Sequence, residues 1–292
     1  MSKLYFARRS WRKILYGHLA LARISNSPTV ISNTLAGAAL AGGFWLDRRV
    51  WYVAVAMVLF YTAGMYLNDL LDYAIDLRTR PERPLPTGLL SRRSAAIVAF
   101  VLLIVGCLLL LSVGPLPFLG GLVLMALIIC YDRWHKRNPF SPLVMALCRV
   151  MVYVIAFLAL SSQSILPVLI PGGLLVSYVV GLTAIAKVEG KPRGIRFGLV
   201  VMLFLPALYF SFQLSPLSFC LVLIFTAWVT YSLLLIARSS RRQIGRAVGQ
   251  LIAGIALYDG LVLAGARNIP GLVLALAAFG LTLFLQRYVK GT

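Results

Sequence analysis

Ten apolar stretches, each bounded by proline, glycine or charge, constrain this chain more than any other feature. They run near residues 28–45, 50–68, 94–113, 115–131, 140–160, 165–186, 197–212, 216–237, 247–266 and 269–286. Most reach the roughly 17–25 residues that a helix needs to cross the hydrocarbon layer. Strands are a poor alternative, because barrel segments are about ten residues long and alternate in polarity, which these runs do not. With 61% hydrophobic and 12% charged residues over 292 positions, a soluble globule would lack polar cover. The expected fold is an all-α, polytopic transmembrane helical bundle of nine to ten spans, forming one domain over residues 1–292.

Charge sets the expected orientation, since Lys and Arg in short loops are retained on the cytoplasmic side. With the N-terminus inside, the cytoplasmic segments are 1–27, 69–93, 132–139, 187–196, 238–246 and 287–292, which hold 24 of the 28 basic residues. Arg48, Arg49 and Arg267 fall outside, and Arg149 lies within a span. The expectation is a multi-pass protein of the cell (inner) membrane with a cytoplasmic N-terminus, although 238–266 is also compatible with a shallow surface helix. The net charge of +20 does not point to nucleic acid, because the basic residues border spans and form no separate patch. Topology and contact with anionic lipid account for it. The first 23 residues carry six basic side chains without a clean apolar core, unlike a secretion signal. Cys107, Cys130, Cys148 and Cys220 stand singly and read as small apolar side chains. His18 and His135 have no partner at metal-ligand spacing, which argues against zinc.

Four of the eight acidic residues, Asp69, Asp72, Asp76 and Glu82, fall within fourteen positions at the end of the second apolar stretch. At about 100° per helical residue, Asp69, Asp72 and Asp76 lie within about 60° of one another, with Asn68 bordering the stripe and Tyr66 and Tyr73 on its other side. Ionisable groups at the edge of a span are costly and mark function. Three such carboxylates repel unless a cation holds them, and Mg²⁺ prefers a few carboxylates plus phosphate oxygens. The blander reading is an interfacial ion-pair network with Arg78, Arg80, Arg83, Arg92 and Arg93. The prolines at 81, 84 and 86 are expected to end the helix and build a stiff extended loop that sets Arg80 and Arg83 over the polar mouth as a cap.

The pattern Asn68-Asp69-x-x-Asp72-x-x-x-Asp76 followed by Arg80-Pro81-x-Arg83-Pro84-Leu85-Pro86-Thr87-Gly88 closely resembles the first signature of the UbiA superfamily of intramembrane prenyltransferases. Arg23 before the first span, Asn33 inside it, and Tyr131 with Lys136 after the fourth extend the likeness. The resemblance implies a helical bundle with a central cavity and a polar cytoplasmic mouth. It also implies transfer of a prenyl group from a prenyl diphosphate to an aromatic or other small lipophilic acceptor. Asp69, Asp72 and Asp76 would hold Mg²⁺, and Asn68, Arg23, Asn33, Arg80, Arg83, Tyr131, Tyr178 and Lys136 would serve substrate.

The likeness breaks at the end of the sixth span, where members usually carry a second aspartate motif. Here the chain reads Thr183-Ala184-Ile185-Ala186-Lys187-Val188-Glu189-Gly190-Lys191, similar to the branch of the EboC proteins. Lys187 or Lys191 would then bring the positive charge of a second metal, with Glu189 as the local acid. The competing reading is a non-catalytic isoprenoid-binding or transport protein on the same scaffold. CDP-alcohol transferases also cluster aspartates, but the Asp-Gly that opens their signature is lacking in this acidic stripe. Tyr66, Tyr73, Tyr131 and Tyr178 are candidates to shield a carbocation or to anchor at the interface. Asp259 and Arg149 are expected to pair across the bundle, and the glycines at 37, 42, 43, 249 and 254 to permit close helix packing.

Overall fold

A computed structural model describes residues 11–134, 138–187, 197–212, 215–237, 241–289 and 291, and every regular element among them is helical. The helices are α1 (Trp11–Leu21), α2 (Pro28–Leu40), α3 (Arg48–Leu71), α4 (Tyr73–Thr79), α5 (Arg92–Val113), α6 (Pro115–Trp134), α7 (Ser141–Leu158), α8 (Leu166–Lys187), α9 (Phe197–Ser211), α10 (Pro216–Ala237), α11 (Arg241–Gly265) and α12 (Ile269–Gln286). Side chains fix several starts by accepting the orphan N–H groups of a first turn. Asp47 accepts from Arg49 N, Ser91 from Ser94 N and Asn268 from Gly271 N. The Arg49 guanidinium also bonds the Asp47 carboxylate, holding it below the usual carboxylate range.

Eight of these helices, α3, α5, α6, α7, α8, α10, α11 and α12, are long and apolar enough to cross a membrane. The sequence expectation was nine to ten, and the difference lies in α2 and α9. α2 has 13 residues, about 20 Å at 1.5 Å each, because the chain turns at Gly42 with φ +73. It is also enclosed, with eleven of its residues buried. α9 is apolar but has 15 residues and an internal Pro206.

α2 and α11 form the centre, the membrane-length window of α11 being 94% buried, whereas that of α5 is 17% buried and faces outward. One core joins α2 to α7 through α12, and a second joins α2, α3, α5, α6 and α7. α2 approaches α7 so closely that a Cβ on Gly37 would sit 2.6 Å from Tyr153 O. Among the described residues, parts of the segments grouped by charge share one end of the bundle. There Arg23 meets Asp69, Asn68 meets Asp132, Lys187 meets Asn138, and Gln286 meets Asn26. At the opposite end Arg49 reaches Ala159 O and Asn268 reaches Gly43 O.

Two local expectations are corrected. The 11–27 segment, read as a basic loop, forms α1 and a 3₁₀ turn at Ile24–Asn26, because Leu21 and Gly17 pack on Leu89 and Leu90. The proline segment is not extended. Backbone bonds Arg83 N–Arg80 O, Thr87 N–Arg83 O and Gly88 N–Leu85 O fold it into successive turns that bury Leu85 and Leu90.

In the middle of the bundle Asp259 of α11 is fully buried. It accepts from Ser32 Oγ at 2.5 Å, Asn33 Nδ2 at 2.8 Å and Tyr153 OH at 2.6 Å. Arg149 donates to Asn33 Oδ1 at 2.9 Å, so the expected Arg149–Asp259 pairing runs through Asn33. Asp259→Ala would orphan three buried donors and is expected to destabilise by roughly 3 kcal/mol or more, with Asp259→Asn losing less. Thermal unfolding of the detergent-purified variants, at wild-type insertion levels, checks this.

Candidate active site

The motif end of α3 carries the strongest concentration of buried charge. Asn68, Asp69, Asp72 and Asp76 are 7%, 6%, 7% and 4% exposed. α3 closes at Leu71, Asp72 is the junction residue, and Asp72 O accepts from Ile75 N and Asp76 N to start α4. The backbone therefore stays close to one helical path, and the stripe read from spacing faces the protein along its whole length. Asp72 and Asp76 both lie near enough to Asp69 to repel its charge.

Two guanidiniums hold this stripe together. Arg83, from the folded proline segment, bridges Asp76 Oδ2 at 2.7 Å and Asp69 Oδ1 at 3.2 Å. Arg23 donates to Asp69 Oδ1 at 3.3 Å and reaches Asn68 Oδ1 at 3.5 Å. Arg23 takes a left-handed backbone, φ 42 and ψ 48, which a non-glycine residue adopts at a cost of roughly 1–2 kcal/mol. Its carbonyl is held by the Tyr61 hydroxyl at 3.2 Å and by Asn26 N.

Asp132, at the end of α6, completes the cluster and was missed in the sequence reading. It is 5% exposed, and Asn68 Nδ2 donates to its Oδ1 at 3.1 Å. The signal was there: it follows Tyr131 at the same end of the bundle, but a single acid beside Arg133 looks like an interfacial ion pair. Below it a narrow apolar cavity of about 70 Å³ runs between α2, α3, α6 and α7, lined by Tyr61, Gly64, Tyr131, Asp132, Cys148 and Arg149 among others.

The remaining candidates lie elsewhere. Arg80 is exposed at the end of α4. Asn33 sits in the Asp259 network and not with the aspartates. Tyr178 is fully buried, donating to Leu251 O at 2.8 Å. Tyr66 is bonded to His18 Nδ1 at 2.7 Å, and the Tyr73 ring lies under the Arg92 guanidinium at 4.6 Å. Lys187 donates to Asn138 O at 3.2 Å and to Ser141 Oγ, tying α8 to the segment before α7. Lys136, Glu189 and Lys191 lie outside the described residues, as does His135.

Among the described residues no three acids or histidines stand as a ready-made metal cage; Arg83 occupies the space between Asp69 and Asp76. The donor chemistry nevertheless fits a hard divalent cation. All the donors are oxygens, and Asp69 and Asp76, which share the Arg83 guanidinium, are buried with Asn68, Asp72 and Asp132 in a poorly solvated place.

The UbiA prenyltransferase family model matches residues 30–195. The digeranylgeranylglyceryl phosphate synthase of Haloquadratum walsbyi is 30% identical over 198 residues, 68% of this chain and 59% of its own length. That of Ignicoccus hospitalis is 36% identical over 124 residues, 42% of this chain and 40% of its own. The chain thus spans about half the length of these curated relatives. Among solved structures, one of a digeranylgeranylglyceryl phosphate synthase in membranes superposes with a TM-score of 0.61 at 20% identity, covering 87% of this chain and 98% of its own. A UbiA homologue from Archaeoglobus fulgidus, bound to GPP and Mg²⁺, gives 0.53 at 13% identity, covering 92% and 99%. These low identities show a shared fold. With more than half of its residues matched by the family model, and with helices of membrane-crossing length, the chain is a multi-pass membrane protein that belongs to the UbiA prenyltransferase family.

Proposed function

We propose that this protein is a divalent-metal-dependent prenyltransferase that moves an isoprenoid group from a prenyl diphosphate to a small lipophilic acceptor. The observation that carries it is the burial of Asp69, Asp72, Asp76 and Asp132 beside Arg23 and Arg83, at the mouth of an apolar cavity. The names of the relatives, and the GPP and DMAPP held by the Archaeoglobus homologue with Mg²⁺, support this reading. The relatives' names favour a glyceryl phosphate acceptor over an aromatic one. The excess of basic residues in the segments at this end supports a cytoplasmic acidic mouth in the cell membrane.

Asp69, Asp72 and Asp76, with Asn68, would hold Mg²⁺, which when bound supplies Lewis-acid charge to the diphosphate oxygens. Arg83 and Arg23 neutralise the acids and present cationic N–H groups where the diphosphate would sit, stabilising negative charge as it develops. In the transfer the allylic C–O bond breaks, its electron pair leaving with the diphosphate. The acceptor's nucleophilic atom then bonds that carbon and releases its proton. Tyr61 and Tyr131, whose rings line the cavity, can face the allylic cation. Tyr66 and Tyr178 are bonded elsewhere. The apolar walls exclude water, favouring transfer over hydrolysis.

Purified protein given geranylgeranyl diphosphate, Mg²⁺ and geranylgeranylglyceryl phosphate is expected to release diphosphate. Asp69→Asn and Asp72→Asn should lower that rate at least about 100-fold, the size of losing several kcal/mol of charge stabilisation. Full activity in either variant would overturn the assignment, and tight substrate binding by wild type with no diphosphate release from any acceptor would favour the non-catalytic reading. Arg83→Gln leaves Asp69 and Asp76 facing each other without their bridge. Its thermal midpoint should fall in EDTA, by the equivalent of roughly 1–3 kcal/mol, and recover largely in Mg²⁺; equal midpoints in both buffers would contradict the charge balance.

A further inference from the structure

On the outer face of the bundle, α3, α5 and α6 enclose an open groove of about 660 Å³, within the roughly 300–1,000 Å³ typical of ligand pockets. Its polar end is formed by Arg92 and Arg93, in the first turn of α5, and Arg133, in the last turn of α6. Its wall is apolar, with Leu67, Leu103 and Ile129 along it. From Arg93 to Leu103 α5 advances ten residues, roughly 15 Å of helix. Charge and hydrocarbon are therefore laid out in series, as in an amphiphile with an anionic head.

The three arginines are available for such a head. Among the described residues none of them forms an ion pair. Arg92 lies over the Tyr73 ring at 4.6 Å, which fixes one face of the guanidinium and leaves the geometry of its N–H edge for another partner. One carboxylate borders the groove, Asp132, but it is nearly buried and is bonded by Asn68 on the side of the acidic cluster. The polar end keeps a net positive charge. Asp132 lines both the groove and the apolar cavity, whereas Asp69, Asp72 and Asp76 do not line the groove. A prenyl diphosphate seated here would have its head against the arginines and not against Asp69 or Asp76, which do not line the groove.

We infer that this groove seats an anionic membrane phospholipid, its phosphate held by Arg92, Arg93 and Arg133 and an acyl chain lying along Leu67, Leu103 and Ile129. The inference does not depend on the transferase reading, since the groove uses none of the residues assigned to metal or diphosphate. The surface of α5 beside it faces outward, so lipid reaches the groove from the bilayer without entering the bundle. The arginines attract the anionic head electrostatically, and the aligned apolar wall retains the chain.

Native mass spectrometry of the full chain, released from micelles doped equally with phosphatidylglycerol and phosphatidylcholine, tests this. Wild type should retain phosphatidylglycerol at least about tenfold over phosphatidylcholine. The variant Arg92→Gln/Arg93→Gln/Arg133→Gln should lose that preference, while Arg48→Gln/Arg267→Gln, at the opposite end of the bundle, should keep it. Equal retention of both lipids by wild type, an unchanged preference in the triple variant, or a lipid-free dimer would each overturn the proposal. Trp134, exposed beside Arg133, gives a readout that needs only one mild substitution. Brominated phosphatidylglycerol should quench wild-type fluorescence more than brominated phosphatidylcholine does, and Trp134→Phe should remove the difference. Equal quenching by the two lipids would also refute the site.

Discussion

Burying several carboxylates at the boundary between protein, lipid and water is the constraint on which the rest of this architecture depends. Carboxylates in such a place repel one another and lose hydration, so the fold must bring cations to them. It does so from two directions. Arg83 arrives from the proline segment seven residues beyond Asp76, and Arg23 from a strained turn forty-six residues before Asp69. The turns that bury Leu85 and Leu90, and the docking of α1 on that segment, are the means by which Arg83 is held in place. Local structure at this end follows the electrostatics, since an extended, solvated loop would leave the acids without their bridge.

The same logic recurs deeper in the bundle with a different solution. Asp259 is met by hydroxyls and an amide, and the one buried cation nearby, Arg149, is joined to it through Asn33. Because Ser32 and Asn33 lie on α2, Tyr153 and Arg149 on α7, and Asp259 on α11, the network locks the three helices in register where their surfaces otherwise offer only apolar contact. Gly37 lets α2 and α7 come close enough for those hydrogen bonds to form. Arg149 then projects at the cavity beneath Asp132, with the Tyr61 ring 5.9 Å from its guanidinium carbon. Tyr61 in turn bonds the Arg23 carbonyl. A continuous set of packed and bonded groups thus connects the core network to the acidic mouth.

Much of this was legible in the chain. Apolar length gave the helices, basic loops gave the grouping of segments at one end, and a spacing of three and four residues put Asp69, Asp72 and Asp76 on one face. What was not legible depended on tertiary contact. α2 is too short to cross alone, but it is enclosed by its neighbours, and no local pattern encodes enclosure. The proline run looked stiff and extended because each proline restricts its own φ; hydrogen bonds among the residues between them decide the turns. The resemblance implied a substrate role for Asn33, whose hydrogen-bond partners come from α7 and α11, far away in sequence. Tyr178 was a candidate to shield a carbocation or to anchor at the interface, and it is a core residue against Gly254 and Phe225.

Asp132 shows how a single residue can matter more than a motif. Its neighbours in sequence are a tyrosine that lines the cavity and an arginine that lines the outer groove, and its own carboxylate borders both spaces. Helical geometry explains this, because consecutive residues point about 100° apart and α6 ends where three environments meet. α8 contains no Asp or Glu, and its one basic group, Lys187, donates to Asn138 and Ser141. Among the described residues the acidity of the mouth is supplied by α3, α4, their junction and α6, with Asn68 as the link: its amide nitrogen donates to Asp132 while its amide oxygen accepts from Arg23. An aspartate at 68 would lose that donor and place a further negative charge between Asp69 and Asp132, which is why an amide suits this position better than an acid.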